Sequence, residues 1–260
     1  MTTALPLSGL NIVVTRPREQ TKTLAQEIAR LGGNCIQLPL LEIAALPDDT
    51  HLSSVIARLH EFDLAIFISP NAVRYGMQSI LKAGGLPATL RIATIGSSSA
   101  KALLEYGVSH VITPKDQFDS ESLLAAAELQ NVSHKRIVIF RGESGRELLG
   151  DTLKSRGAII EYAACYQRIK IAQDISVLLA ANPDVLTISS SEALHHLQDS
   201  LDSSNKERIM TMPLFVSHQR IATAAQQFGW RNIIQTDNGD KGLLFSLTGW
   251  AAQRARKYND

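Results

Sequence analysis

The sequence is short of several things, and each shortage removes a class of function. It has only two cysteines, Cys35 and Cys165, in 260 residues. Two thiols cannot build a disulfide framework or a cysteine-rich metal site, so both read as buried, reduced thiols in a reducing compartment. Aromatic residues make up 5% of the chain, too few for a platform that stacks nucleobases. Neither sign of charge is in excess: 26 basic against 25 acidic side chains leave a formal charge of +1. A nucleic-acid surface is normally built from clustered surplus lysine and arginine. No apolar run approaches the roughly 18 residues of a membrane span, and Met1–Ser8 lacks the basic and apolar segments of a signal peptide. The expectation is a cytoplasmic protein that engages neither nucleic acid nor membrane. An apolar fraction of 45% is that of a globular fold.

What the chain does have is a repeated local pattern. A short apolar run ends in small polar residues, an amphipathic stretch follows, and glycine usually closes it. Asn11–Thr15 leads through Arg16-Pro17-Arg18 to Leu24, Ile28 and Leu31 on one helical face, then to Gly32-Gly33. Leu64–Ile68 leads through Ser69-Pro70-Asn71 to Val73, Met77, Ile80 and Leu81, then to Gly84-Gly85. The pattern recurs at Arg91–Ile95 with Gly96–Ser99, and at Ile137–Phe140 with the turn Arg141–Gly145. It returns at Val185–Ile188 with Ser189-Ser190-Ser191, and at Leu214–Val216 with Ser217-His218-Gln219. A weaker copy is Val111-Ile112 followed by Ser120–Leu129. Apolar runs of four or five residues rich in valine and isoleucine are strands buried on both faces. The i, i+3, i+4, i+7 spacing that follows is a helix burying one stripe, with glycine as its C-terminal cap. Such alternation predicts an α/β fold of parallel sheets with helices on both faces.

Two segments break the pattern. Gln37–Ile43 is extended and interrupted by Pro39, and Tyr162–Arg168 is its counterpart, with neither followed at once by a helix. Four copies lie between them, one before and two or three after. The reading is of two α/β domains, the second inserted in the first: residues 1–38 and 170–260 form the outer domain, 44–162 the inserted one. Residues 39–43 and 163–169 would be connector strands forming a two-stranded hinge. A single large sheet is the alternative.

In a parallel sheet the polar turns fall at the carboxyl ends of the strands, where open α/β folds bind ligands. Each precedes a helix N-terminus, with unpaired N–H groups and the positive end of the helix dipole. Thr15, Arg16, Ser69, Asn71, Ser97, Ser98, Ser99, Arg141, Arg146, Ser189, Ser190, Ser191, Ser217 and Arg220 could then form a multi-point anion receptor facing a cleft. Each serine alone reads first as an ordinary helix cap; repetition is what raises the receptor. Arg141 and Arg146 read as an anion clamp or as surface charge. Tyr166 is either packed and hydrogen-bonded or a proton donor.

Other chemistries lack their residues. The first turn is not the G-x-G-x-x-G of a dinucleotide site, and no phosphate-binding P-loop occurs. Gly142-Glu143-Ser144-Gly145 is one residue short of a G-x-S-x-G nucleophile elbow. No His, Asp and Glu set has metal-ligand spacing. The histidines, including His195-His196, and Asp48-Asp49 read as solvated groups.

Taken in order, the segments Val14–Pro17, Phe67–Val73, Ile95–Ala100, Arg141–Arg146, Cys165–Arg168, Ser189–Leu194 and Ser217 with Arg220–Ala222 resemble the uroporphyrinogen-III synthase family over nearly the whole chain. The resemblance implies a cofactor-free enzyme with no metal, which closes the linear tetrapyrrole hydroxymethylbilane to uroporphyrinogen III with loss of water and inversion of the last ring. It implies that the substrate's eight carboxylates are held largely by backbone amides at helix N-termini, which brings Ala72 and Gly142 into the expected site. It places the tyrosine implicated in releasing the hydroxyl group at Tyr166. It also implies a monomer, in transient contact with the enzyme that supplies its substrate. Ser99 stands where the family has threonine, and Ile68 where it often has threonine.

Overall fold

The computed structural model describes residues 5–114 and 119–259. The chain divides into two compact units: unit 1 comprises residues 1–42 and 169–260, unit 2 residues 43–168. In chain order, β1 (Asn11–Val14), α1 (Arg18–Arg30) and β2 (Asn34–Gln37) are followed by β3 (Leu41–Ala44) at the first passage between units. Unit 2 continues with α2 (Thr50–Ala57), β4 (Leu64–Phe67), α3 (Pro70–Lys82), β5 (Arg91–Thr94) and α4 (Ser97–Glu105). Next come β6 (Val111–Ile112), α5 (Ser120–Leu124), β7 (Arg136–Gly142), α6 (Leu148–Ser155) and β8 (Ile159–Lys170), which carries the chain back. Unit 1 is completed by α7 (Ile175–Ala180), β9 (Val185–Ile188), α8 (Ser191–Ser200) and α9 (Lys206–Thr211). It ends with β10 (Leu214–Val216), α10 (Gln219–Phe228), β11 (Ile233–Gln235) and α11 (Gly239–Asn259).

Unit 1 holds a five-stranded sheet in the order β11-β10-β9-β1-β2, every pair parallel. Unit 2 is built on the order β3-β8-β7-β4-β5-β6, and its pairs from β8 to β6 are parallel. Each sheet is buried on both faces because alternate residues enter different cores. In unit 1, Val13, Leu186 and Leu214 pack under α7 to α10, while Ile12, Val14 and Phe215 pack under α1 and α11. In unit 2, Phe67, Val138 and Phe140 face α2, α3 and α4, while Ile66, Ile137 and Ile139 face α5 and α6. The α/β class with parallel sheets and helices on both faces is thus present, and glycines with positive φ follow the helices at Gly32, Gly84, Gly107, Gly157 and Gly229.

Several elements have no counterpart in the sequence pattern, β2 and α11 among them. The strand β2 pairs with β1 from Asn11↔Asn34 to Val14↔Gln37, adding an edge strand just before the extended segment. The helix α11 buries Leu243, Leu247 and Ala251 on the second face of unit 1. Of the two thiols, one meets the expectation of burial and one departs from it. Cys165 is buried, with its Sγ 3.3 Å from the Arg141 carbonyl, and burial pushes its pKa up to about 12. Cys35 lies on an edge strand and is only half-buried, its pKa raised by that partial burial. Since the thiolate is the reactive form, a disulfide reagent at pH 7 should modify Cys35 first and leave Cys165 untouched until urea is added. Equal rates for both thiols in the native protein would contradict this burial.

Candidate active site

In open parallel sheets, ligands sit at the carboxyl ends of the strands where the strand order reverses. Unit 1 reverses between β1 and β9, unit 2 between β4 and β7. These two points gather most of the residues singled out by the sequence.

At the unit 1 point, the Thr15 Oγ1 donates to the Thr187 carbonyl at 2.8 Å, and the Thr187 Oγ1 to the Val13 carbonyl at 3.0 Å. Thr15 is buried and its hydroxyl is used to stitch β1 to β9. Arg16 pairs with Asp240 in the first turn of α11. With Ser189, Ser217, Thr236 and Gly239, Arg16 lines a cavity of only about 10 Å³, room for one water. Ser190 caps α8, its Oγ accepting from the Ala193 N–H at 3.1 Å. Ser191 is the first residue of that helix and not part of the turn; its Oγ is buried without a partner. The Ser217 hydroxyl makes a long contact of 3.5 Å to the Ser189 carbonyl. Arg220 is an exposed residue inside α10.

At the unit 2 point, Phe67 ends β4 and Ser69 caps α3, its Oγ accepting from the Ala72 N–H at 3.1 Å. Asn71 and Ala72 are helical, and the Ala72 amide is already engaged by that bond. Ser97, Ser98 and Ser99 are not a turn: they form the first turn of α4 behind Gly96, with Ser97 and Ser98 exposed and Ser99 buried. Arg141 and Gly142 also depart from the expected turn. They end β7, and Arg141 is 5% exposed, far from a surface charge.

The strand β8 explains where Tyr166 points. Its pairing with β7 runs regularly to Arg141↔Ala164, then jumps to Gly142↔Tyr166. The extra residue is a β-bulge, which re-aims the side chains that follow it. Without it Cys165 and Tyr166 would face opposite sides; with it both enter the core under α3. The Tyr166 ring is 2% exposed, and its hydroxyl lies 3.3 Å from the Ser69 Oγ. Gly142 makes this possible: a Cβ there would stand 2.9 Å from Cε2 and Cζ of the ring. Tyr75 sits 6.0 Å from the ring and donates to the Ile43 carbonyl at 2.8 Å, and the Arg168 guanidinium lies 5.8 Å over the ring.

On the other face of the same sheet, Arg141 is paired with Glu147 at 2.9 Å and stacks 4.8 Å from the Tyr162 ring centroid, while its Nε has no partner. Gly145 lets the loop close over it, since a Cβ there would stand 2.7 Å from the guanidinium. The Tyr162 hydroxyl and the Arg141 guanidinium hold the Glu147 carboxyl below its usual range. Burial, with the facing Glu147 charge, pushes Tyr162 up to about 12, although no hydrogen bond of ordinary geometry closes between them. Arg141, Arg146, Asp119, Ser120, Tyr162 and the apolar Ile68, Ile95, Ile139 and Leu149 line a cavity of about 260 Å³. With Glu147 on Arg141 and Asp119 beside Arg146, a carboxylate on a short aliphatic arm would enter by displacing one of these acidic side chains from its arginine. Sequence reasoning did not single out Tyr75, Glu147, Tyr162, Thr236 or Asp240.

The fold and its two reversal points define an α/β protein of two doubly wound units, each with hydroxyls and arginine gathered at the carboxyl ends of its strands. The family profile described as Uroporphyrinogen-III synthase HemD matches residues 22–244. The chain belongs to the uroporphyrinogen-III synthase family, a family of enzymes that cyclise hydroxymethylbilane. It is 32% identical over 241 residues to the uroporphyrinogen-III synthase of Escherichia coli K12, covering 90% of this chain and 98% of that protein. The enzyme of that name from Synechococcus elongatus is 26% identical over 260 residues, covering 95% and 98%. Among solved structures, a mutant uroporphyrinogen III synthase of Thermus thermophilus superposes with a TM-score of 0.61 at 17% identity, covering 95% of this chain and 100% of that one. The Helicobacter pylori protein gives 0.60 at 14%, covering 94% and 99%. At those identities the structures speak for the fold alone. No helix among the described residues is long and apolar enough to cross a membrane.

Proposed function

We propose that the protein closes hydroxymethylbilane to uroporphyrinogen III, with Tyr166 as the general acid and the two reversal points as carboxylate sites. The observation that carries the residue assignment is the buried Tyr166 hydroxyl at the carboxyl end of the unit 2 sheet, turned there by a bulge. Tyr166 gives its proton to the departing hydroxymethyl oxygen, which leaves as water. The electrons of the pyrrole stabilise the cation that remains. The substituted carbon of the last ring attacks it to give a spirocyclic intermediate, which reopens and recloses in the inverted order. The ring proton lost at closure returns to the Tyr166 oxygen, so the net change is loss of one water and needs no redox partner.

Arg141 and Arg146, with the cavity they share, take one carboxylate arm; Arg16, once released from Asp240, takes another with Ser189 and Ser217. The reading has the protein act as a cytoplasmic monomer. Folding the flexible bilane so that one carbon attacks is mainly a matter of orientation. Purified protein incubated with hydroxymethylbilane should yield the type III ring isomer over the type I isomer formed by uninverted closure. If a folded sample gave only type I, the protein would be a receptor for a polyanion and not an enzyme.

A further inference from the structure

We infer that Ser69 acts on the reaction through Tyr166, as a positioning residue whose hydroxyl donates a hydrogen bond to the Tyr166 oxygen when that oxygen is left charged, and not as a ligand for a substrate carboxylate. The inference rests on Tyr166 being the acid. The first turn of α3 has only the Asn71 N–H left to offer an anion. Pro70 has no N–H, the Ala72 N–H is on the Ser69 Oγ at 3.1 Å, and the Val73 N–H is on the Ser69 carbonyl at 3.0 Å. The Ser69 hydroxyl itself is 3.3 Å from the Tyr166 oxygen, with either atom able to donate.

That last property suits a proton donor that must be recharged. Before transfer the phenol can donate to Ser69. After transfer the phenolate has no proton and its ring cannot swing away, because Gly142 lies against it and the residue is 2% exposed. A buried anion without a donor is costly. Ser69 then reverses its hydrogen bond by rotating one hydroxyl, with no heavy atom moving. The Ala72 amide on the same oxygen polarises the Ser69 O–H and makes it a better donor, and the positive end of α3 favours the negative charge. Bond count is conserved throughout: the proton that leaves Tyr166 departs with the water, and the one released at ring closure restores it.

The test is a double-mutant cycle between positions 69 and 166, read in kcat and KM. A hydrogen bond to a charged oxygen predicts that Ser69→Ala lowers kcat by about 10-fold to 100-fold, with KM within about twofold. Ser69→Thr, which keeps hydroxyl and cap, should restore most of the rate. Ser69→Asp keeps the helix cap but can only accept, so it should match wild-type Tm while losing at least as much turnover as Ser69→Ala. In a Tyr166→Phe background, Ser69→Ala should cost less than about twofold. An equal loss with tyrosine or phenylalanine at 166, or a loss confined to KM, would return Ser69 to the substrate and overturn the inference while leaving Tyr166 as the acid. Full turnover by Tyr166→Phe alone would overturn both.

Discussion

Tyr166→Phe is expected to lower the rate of type III product formation by about 100-fold or more, the ordinary contribution of a positioned general acid. The substitution is close to isosteric in a ring that is 2% exposed, so the packing around it is kept. It removes one oxygen, whose partner Ser69 still holds the Ala72 amide at 3.1 Å. Stability should therefore change by no more than about 1 kcal/mol, the net worth of one ordinary hydrogen bond. Turnover should not vanish, because folding the bilane for attack at the correct carbon is an orientation effect that survives loss of the acid. The ratio of type III to type I product separates the two contributions: the rate falls, and the enzyme-bound fraction still closes with inversion. A kcat within twofold of wild type would remove Tyr166 from the chemistry.

Phe140→Ala should have the largest effect on stability. Phe140 is fully buried, pairs with Phe67 across β7 and β4, and stacks on it with centroids 4.6 Å apart and planes 8° from parallel. The helix α3 lies directly on this pair. Gly76 faces it, and a Cβ at that position would be 3.0 Å from both rings. A backbone packed that closely cannot follow the retreat of a side chain, so the cavity stays open. Phe→Ala changes of this kind cost about 3–5 kcal/mol, a large part of the roughly 5–15 kcal/mol that holds a domain together. The measurement is urea unfolding by far-ultraviolet circular dichroism, since both tryptophans, Trp230 and Trp250, belong to unit 1 and report on that unit. A midpoint within experimental scatter of wild type would mean that α3 collapses onto Phe67.

Residues that carry strong periodicity were legible in the sequence: the runs at Ile12, Ile66, Ile139 and Leu186 are buried strands, and the stripes at Leu24, Met77 and Leu194 are buried helix faces. The strand β2 was not, because Asn34 and Gln37 at its ends are exposed and an edge strand needs no continuous apolar run. At the site, the turns after β1, β4 and β9 were legible from their small polar residues. Two features were hidden for physical reasons. Arginine is seldom buried, so nothing marked Arg141 as a core residue stacked on Tyr162. Alternation in a strand has period two, so the bulge that turns Tyr166 toward Ser69 leaves no trace in composition. The two glycines of Arg141-Gly142-Glu143-Ser144-Gly145-Arg146 were the available signal: each marks a place where a neighbouring side chain lies against the backbone.

The discontinuity of unit 1 bears on the order in which the protein is made. The strand β1 leaves the ribosome early, yet its neighbour β9 follows only after all of unit 2, with Ile12 paired to Val185. Closing so long a loop in a disordered chain is entropically unfavourable. Unit 2 is contiguous from Ile43 to Arg168, and domains fold as units during synthesis. Its β3 and β8 are hydrogen-bonded neighbours, so its completion draws the two ends of the intervening chain together. The inserted unit thereby shortens the effective loop that unit 1 must close, and the half of the protein begun first is the half finished last.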